Sequence, residues 1–345
     1  MYVPILKNRA IEISVIKELV EGNLTNNTIP LFEIVQEKSR SNSKKTYIDE
    51  LREIFSKSRN RFLIDFPQLD VTAATSDSMR NFLIQVNRNK DFIFEQFNQC
   101  KNIDNAIPVI SFRKNDLVSS EQINERIHKL RQDFTNLALR LTPSQASEQT
   151  LLELRLQEGD MVILDIDDNS HTNPIFKINY KALRELKRTH AIRTIIANSH
   201  RPTSMLNKNI RDGLPIEEID NSLLELYKTN TYGFDGFADY ASVTKTLPTT
   251  GGSISPAGVY YSFESNYFVG FRGETSLLNE FQDHIAPAII NSPYWREFSD
   301  HHHDQCPGCR KIKDIKEAIQ SGKSQGLWKG ITMSHYIYTL DENNV

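Results

Sequence analysis

The 345-residue sequence has little cysteine: it contains only three, and two of them lie in a single Cys-x-x-Cys. An odd number of cysteines makes a poor disulfide framework and is typical of a reducing compartment. No apolar run approaches the roughly 20 residues that span a bilayer. The start of the chain also lacks the basic segment, long apolar core and cleavage site of a secretory signal. We therefore expect a cytoplasmic protein with no membrane association.

An excess of one charge is also lacking, because the chain has 41 Lys and Arg and 44 Asp and Glu, which gives a net charge of -3. This balance gives no strong signal for nucleic acid or for a membrane surface. The sequence has no Walker loop, no Gly-x-Ser-x-Gly elbow and no His-Glu-x-x-His. The hydrophobic share of 39% and the charged share of 25% are those of a soluble globular protein.

Eight short apolar runs alternate with stretches of helical periodicity. The runs begin at residues 2, 29, 61, 106, 137, 161, 193 and 233. A strand with its crossover helix needs about 30 residues, and eight such units need about 250. The pattern predicts a (β/α)8 TIM-like barrel over residues 1–248. An open doubly wound sheet is the rival, but the Gly-rich phosphate loop that usually follows its first strand is absent.

A C-terminal α+β extension is predicted over residues 249–345. Its first part, 249–258, reads as a linker-like loop. The alternating aromatic and polar residues of 259–273 predict a hairpin. Helical patterns and a histidine–cysteine segment follow.

Several predicted strands carry a charged residue among aliphatic ones. The alternation of apolar residues predicts that four of these charged side chains point into the barrel lumen. They are Glu33, Asp65, Arg140 and Asp165. Other polar residues fall at or near strand ends, namely Lys7, Arg113, Asp167, Ser199, His200 and Asp239. Because the C-terminal strand ends line the site in such barrels, we expect these residues to meet at the mouth.

This mixed-charge cluster allows three interpretations. Glu33, Asp65 and Asp165 are candidate catalytic residues, as general bases or as ligands of a divalent cation such as Mg²⁺. Alternatively, the bases Lys7, Arg113 and Arg140 grip the phosphate or carboxylate of an anionic ligand. In the third interpretation, the charges satisfy one another and simply fill the barrel.

The segment "SDHHHDQCPGCRK" contains the most specific local motif. Cys306 and Cys309 have the spacing of a zinc knuckle, with Pro307 and Gly308 predicted to form its tight turn. His301 and His303 are predicted to complete a structural zinc site. The remaining candidates for a missing ligand are another histidine of the triplet, His284, His335 and Cys100. An unmetallated turn or a redox dithiol remains the alternative.

Five short motifs together carry a family resemblance: "YVPILKNRAIE", "IPLFEI", "LRL", "ILDIDD" and "DGFADY". With Tyr2, Lys7, Glu12 and Glu33 at the matching positions, the chain resembles the beta protein family of phage satellites and bacterial defence islands. The resemblance implies a gop–beta–cll type of anti-phage cassette, and partner proteins encoded by neighbouring genes. It implies no chemistry.

Three functions follow as hypotheses. The first is a defence component whose barrel mouth binds a phosphorylated or anionic ligand, for example a nucleotide. The second is a non-enzymatic scaffold that binds or regulates a toxic partner through residues 250–345. The third is a metal-dependent phosphodiesterase, which shares the acids but lacks the histidine-rich strand ends usual for that chemistry.

Overall fold

Eight parallel strands close into a barrel in the computed structural model of this protein, which describes residues 1–40, 42–72, 75–247 and 255–345. The predicted (β/α)8 TIM-like fold is thereby confirmed. In order around the barrel, the strands are β1 Tyr2–Lys7, β2 Leu31–Glu33, β3 Phe62–Asp65, β4 Ala106–Ser111, β5 Ala138–Leu141, β6 Met161–Asp165, β7 Arg193–Ala197 and β9 Gly236–Asp239. A separate antiparallel sheet has the order β10 Ala257–Ser262, β11 Tyr267–Arg272 and β8 Leu214–Pro215.

Helices follow most strands and cover the barrel. They are α1 Ala10–Glu21, α2 Tyr47–Phe55, α3 Asp77–Arg88, α4 Lys90–Cys100, α5 Ser120–Leu130, α6 Glu148–Leu152, α7 Lys177–His190, α8 Ser222–Lys228, α9 Ala286–Asn291, α10 Pro293–Arg296, α11 Asp300–Gln305, α12 Pro307–Lys316 and α13 Gln325–Glu342. Short 3-10 turns lie at Pro174–Phe176 and Asn207–Asn209, and a π-helical turn at Phe281–Ile285. None of the helices in the described part of the chain combines the length and apolarity that crossing a bilayer requires.

Alternation along each strand separates two cores. The outward residues, such as Phe62 and Ile64 of β3, pack beneath the helices in the larger core. The inward residues form an aliphatic layer inside the barrel: Val3, Ile5, Ile29, Leu31, Leu63, Ile107, Val109, Ala138, Met161, Ile163, Ile195, Ala197 and Ala238, with Tyr240 at its edge. Because these side chains fill the lumen, polar inward residues are confined to the C-terminal strand ends.

The C-terminal segments pack on the barrel. The predicted hairpin is formed by β10 and β11, and β8, from between barrel strands, adds to its edge. Helix α13 contacts α1, and its Tyr336 hydroxyl donates to Asp239 Oδ2 of β9 at 2.8 Å. The predicted division of the chain at residues 248/249 stays a prediction. Most of the predicted linker-like loop, 249–254, lies outside the described residues.

The Cys-Pro-Gly-Cys segment is a helix start, not the predicted tight turn. Cys306 caps α12, since its Sγ accepts from the backbone N–H of Cys309, and Pro307 occupies the first helical position. Proline suits that position because its missing N–H would have no partner within the helix. Helix α12 therefore begins within the motif, and both cysteines are held at its N-terminal turn.

Candidate functional site

The guanidinium of Arg140 lies at the barrel mouth and joins three of the predicted acids. Its Nη1 donates to Glu33 Oε1 at 2.8 Å and to Asp65 Oδ2 at 3.2 Å, and its Nε donates to Asp165 Oδ2 at 2.9 Å. Its Nη2 donates to the Tyr240 hydroxyl at 2.9 Å and lies 2.8 Å from Asp165 Oδ2. Four hydrogen bonds and the ion pair of Nη2 with Asp165 thus hold the guanidinium. The guanidinium is fixed in place by protein partners on its Nε, Nη1 and Nη2 atoms.

The carboxylates of this cluster have further protein partners. These are Lys7 Nζ at 3.2 Å from Glu33 Oε2, the Tyr240 hydroxyl at 3.0 Å from Glu33 Oε1, the Ser111 hydroxyl on Asp65, and the backbone N–H of Asp167 at 3.0 Å from Asp165 Oδ1. A carboxylate oxygen accepts two hydrogen bonds, so each of the three acids keeps at least one free lone pair. The floor of the mouth therefore offers acceptors.

The buried network contains three acids but only two bases, Lys7 and Arg140. Burial raises the pKa of Asp65 to about 6, and Arg140 offsets this only in part. Burial also acts to raise the pKa of Glu33, but Lys7 and Arg140 together outweigh it and hold that pKa at about 2. Asp65 is therefore the acid that takes up a proton near neutral pH, whereas Glu33 stays ionised.

A cavity of about 490 Å³ opens above this floor. The lining includes the floor residues Glu33, Asp65, Arg140, Asp165 and Tyr240, then Ser111 at the end of β4, and, from the surrounding loops, Gln68, Asp70, Thr72, Lys114, Gln145, Lys245 and Leu247. Its volume is in the range of small-molecule sites. At the rim, Asp167 Oδ1 lies 2.6 Å from Lys114 Nζ and 2.6 Å from Lys245 Nζ, and Lys245 also pairs with Asp168.

We predict that Asp65→Asn stabilises the protein above pH 7. The folded-state pKa of about 6 exceeds the usual 3.8 of the carboxyl group. The stability that protonated Asp65 contributes is thus complete below pH 3.8 and is lost as the pH rises through 6. A difference of about two pKa units corresponds to about 3 kcal/mol as an upper limit. Urea unfolding of both proteins between pH 4 and 8 measures the effect.

The exposed Asp104 offers the matched substitution for this measurement. Asp104→Asn is expected to leave the free energy of unfolding within about 0.5 kcal/mol at every pH. An Asp65→Asn protein that loses stability above pH 7 would show instead that the ionised carboxylate is required by the Arg140 network.

The other predicted mouth residues do not join the Arg140 cluster. Arg113 is exposed, and its carbonyl oxygen accepts from Gln145. Asp167 lies at the rim with a left-handed φ of 57°. Ser199 is buried, and its hydroxyl has no hydrogen-bond partner among the described residues. Beyond the strand ends the regular alternation stops, so sequence spacing no longer determines which way these side chains point.

Asp239 and His200 form a separate buried cluster beneath α13. Asp239 accepts from the hydroxyls of Tyr2 and Tyr336 at 2.7 and 2.8 Å, and its Oδ2 lies 3.5 Å from His200 Nδ1. The physical reason is strand alternation, because Asp239 shares the outward side of β9 with Phe237. The inward residue at this strand end is Tyr240, which the sequence analysis did not name.

Four side chains converge in a third buried cluster, formed by His302, Cys306, Cys309 and His335. Their ligand atoms all lie within 4.8 Å of one another. His335 Nδ1 is 3.5 Å from His302 Nε2, 3.7 Å from Cys306 Sγ and 3.5 Å from Cys309 Sγ. In a tetrahedral zinc site with bonds of about 2.0–2.3 Å, neighbouring ligand atoms are about 3.3–3.8 Å apart. The cluster could therefore hold a metal ion such as zinc.

Surrounding groups orient the ligand atoms of this cluster. His335 Nε2 lies 3.0 Å from the Tyr261 carbonyl oxygen, and His302 Nδ1 lies 2.6 Å from Glu342 Oε2. Because both partners are acceptors, these nitrogens carry the proton, and the opposite nitrogens present a lone pair to the cluster. Burial acts to raise the pKa of Cys306, but its contacts with Cys309 and the two histidines hold it well below its usual range.

Close packing of α12 on α13 brings the cysteines to His335. A Cβ atom added at Gly308 would lie 2.6 Å from the Ile331 carbonyl oxygen. Only glycine allows this approach of the two helices.

The predicted ligands His301 and His303 lie outside the cluster. His301 is exposed, and His303 stacks on Trp295, with its Nε2 3.1 Å from the Trp295 carbonyl oxygen. The reason is helical geometry, because residues 302 and 306 are one turn apart and share a face at the end of α11. The two histidines of the cluster are thus His302, from the triplet, and His335, which the sequence analysis named as an alternative.

A family model described as "Beta protein" matches residues 2–340, nearly the whole chain. A comparison with curated proteins finds no match. Among solved structures, the chain is similar to the cellulose synthase subunit Z (CcsZ) from Clostridioides difficile, at 8% sequence identity and a TM-score of 0.41. That similarity covers 73% of this chain and 93% of the other. At this level it supports no conclusion about function.

Proposed function

The chain belongs to the Beta protein family, and from that premise we propose that its barrel mouth binds a small phosphorylated ligand, such as a nucleotide, in defence against phage. The observation that carries the ligand proposal is a 490 Å³ cavity that has carboxylates on its floor and lysines at its rim. Its floor offers carboxylate lone pairs, and its rim carries Lys114 and Lys245. The defence role is supported by the family resemblance alone.

The cavity has acceptors on its floor and lysines at its rim, and this arrangement suits a ligand with two chemically different ends. Since the N–H groups of Arg140 are held by the acids and Tyr240, the floor suits hydroxyl or amino groups that donate to Asp165, which is 6% exposed whereas Asp65 is fully buried. The ammonium groups of Lys114 and Lys245 suit a phosphate at the rim, where Asp167 is their present partner. A ribose or base with an attached phosphate combines these two requirements.

The geometry supports this function better than metal-dependent phosphodiester hydrolysis. A hard cation needs several carboxylate oxygens that converge on an open position. Here Glu33, Asp65 and Asp165 converge on the guanidinium of Arg140 instead. Binding of a ligand requires no rearrangement of this network, whereas binding of Mg²⁺ at its centre would displace Arg140.

The ligand proposal predicts that the rim lysines contribute to affinity. We expect a nucleotide to bind the wild-type protein and to bind Lys245→Gln or Lys114→Gln about tenfold more weakly, because each change removes a charge-assisted contact. Isothermal titration with a panel of nucleotides and sugar phosphates measures this. Lys57→Gln removes an exposed lysine that does not line the cavity and is the matched control. Equal binding by all four proteins, or by none, would contradict the proposal.

The same variants connect the ligand to the defence role. Expressed with its neighbouring genes, whose products are the proposed partners, the wild-type chain is expected to lower the plating efficiency of phage. The lysine variants that lose the ligand are expected to lose this protection as well. Protection that persists in those variants would favour a scaffold that acts without a ligand.

We also propose that His302, Cys306, Cys309 and His335 hold a structural zinc ion. All four side chains are buried, and structural zinc sites take four protein ligands. Such an ion would tie α11 and α12 to α13. The three cysteines are all free thiols, which fits the reducing conditions of the cytoplasm.

A further inference from the structure

A group of basic side chains lies beside the barrel mouth, and one of them, Arg201, has no acidic partner among the described residues. Arg201 is only 9% exposed; its Nη1 donates to the Ser242 carbonyl oxygen at 2.8 Å, and its Nε has no partner among the described residues. Burial lowers its pKa to about 10, with no neighbouring acid to raise it. Residues 41, 73–74 and 248–254, which the structure does not describe, include no Asp or Glu. A buried guanidinium without a counter-charge is costly, which points to an anion.

Nearby side chains add to this positive charge. The pKa of Lys329 in α13 is lowered, first by the partial removal of its ammonium group from water and then by repulsion from Arg9 and Arg201. Glu12 is the acid that faces this group, and it is already paired with Arg9 at 3.7 Å. Arg9, Arg201 and Lys329 thus surround a single acid. The local charge is therefore positive, and an anion would neutralise it.

A small recess gives access to the unpaired donors. Arg201, Ser242, Gln325 and Lys329 are among its lining residues, and it shares none with the cavity above Arg140. The Ser242 hydroxyl is buried and has no hydrogen-bond partner in the described part of the chain. The enclosed space is about 10 Å³, enough for one oxygen atom. Lys329 is exposed, so it can reach the remaining oxygens of a group that enters only partly.

The recess lies where barrels of this type often bind phosphate. Arg201 follows β7, Ser242 follows β9, which is the eighth barrel strand, and Gln325 begins α13. Loops after the seventh and eighth strands, together with a helix N-terminus, form the usual phosphate site of this fold. The positive end of the helix dipole favours negative charge there.

We propose that Arg201, Ser242 and Lys329 bind the phosphate group of a phosphorylated ligand at a site separate from the Arg140 cavity. One phosphate oxygen occupies the recess and accepts from Arg201 Nε and the Ser242 hydroxyl. Lys329 contacts the oxygens outside the recess. The site does not depend on the ligand proposed for the mouth, because the two sets of residues do not overlap.

Inorganic phosphate is the probe, titrated into the full chain at constant ionic strength and followed by ³¹P NMR line broadening. We expect one phosphate to bind per chain at this site. Arg201→Gln is expected to abolish binding, and Lys329→Gln to raise the dissociation constant about tenfold, equivalent to about 1.4 kcal/mol. Lys329 is exposed, so its variant stays informative where a change at the buried arginine disturbs folding.

Two control variants make the result specific. Lys323→Gln removes the same charge from an exposed position just before α13 that does not line the recess. Lys245→Gln removes a charge from the rim of the Arg140 cavity. Lys323→Gln is expected to bind phosphate within twofold of the wild type, and Lys245→Gln is expected to keep the phosphate bound at the recess, losing only phosphate that binds at the mouth. Wild-type affinity in Lys329→Gln, or an equal loss of affinity in Lys323→Gln, would contradict the proposed site. A loss of affinity confined to Lys245→Gln would also contradict it, because the phosphate would then bind at the mouth.

Discussion

Replacing Cys306 with serine is expected to abolish zinc binding and to lower the midpoint of thermal unfolding by about 6 °C. Zinc that binds only the folded chain stabilises it by about 4 kcal/mol when its free concentration is a thousandfold above the dissociation constant. Because the entropy of unfolding is about 2.1 cal/mol/K per residue, each kcal/mol shifts the midpoint of a chain of this size by about 1.4 °C. The loss is large because Cys306 both caps α12 and lies 3.7 Å from His335 of α13.

Metal content and thermal unfolding, measured on the same preparations, test this expectation. The wild-type protein should contain one zinc per chain, and Cys306→Ser none. Cys100→Ser is the matched control, because Cys100 is also a buried free thiol but belongs to α4, outside the cluster. His301→Gln should retain its zinc, whereas His302→Gln should lose it. A wild-type protein without zinc, or an equal loss of metal from Cys100→Ser, would contradict the proposed zinc site.

The barrel and its four inward charges could be predicted because both follow from local periodicity. Apolar residues at every second position of β3 and β6 leave Asp65 and Asp165 on the opposite side, and that side is the lumen. The same rule places Arg140 among them. Because a charge inside a barrel needs partners, their convergence also follows from the sequence.

The remaining part of the site depends on contacts that spacing does not encode. Lys245 and Tyr240 reach the cavity from the segment after the last barrel strand, and Arg201 depends on the position of α13. His335 reaches Cys309 only because α12 and α13 pack closely at Gly308. Treating the triplet as helical would have selected His302 over its neighbours, since it lies four residues before Cys306.

Arg140→Met is expected to cost about 3–5 kcal/mol of unfolding free energy at pH 7, as when one partner of a buried ion pair is removed. Methionine fills a similar volume, so the change removes the charge and its donors more than the packing. Glu33, Asp65 and Asp165 are then left with Lys7 as their remaining base. Urea unfolding at several pH values measures the loss. Arg113→Met removes an exposed arginine that follows β4 and should cost less than about 0.5 kcal/mol.

The pH dependence of this loss distinguishes uncompensated charge from lost packing. In the wild type, the pKa of Glu33 is about 2, below its usual 4.5, so its contribution is present above pH 4.5 and is lost as the pH falls toward 2. Without Arg140, burial raises the pKa of the carboxyl groups, and the pH dependence of their contribution to stability changes sign. Stability of the variant should then be highest below the usual carboxyl pKa and fall as the pH rises. A loss that is the same at pH 4 and pH 8 would show that Arg140 acts through packing, and that the three acids do not depend on its charge.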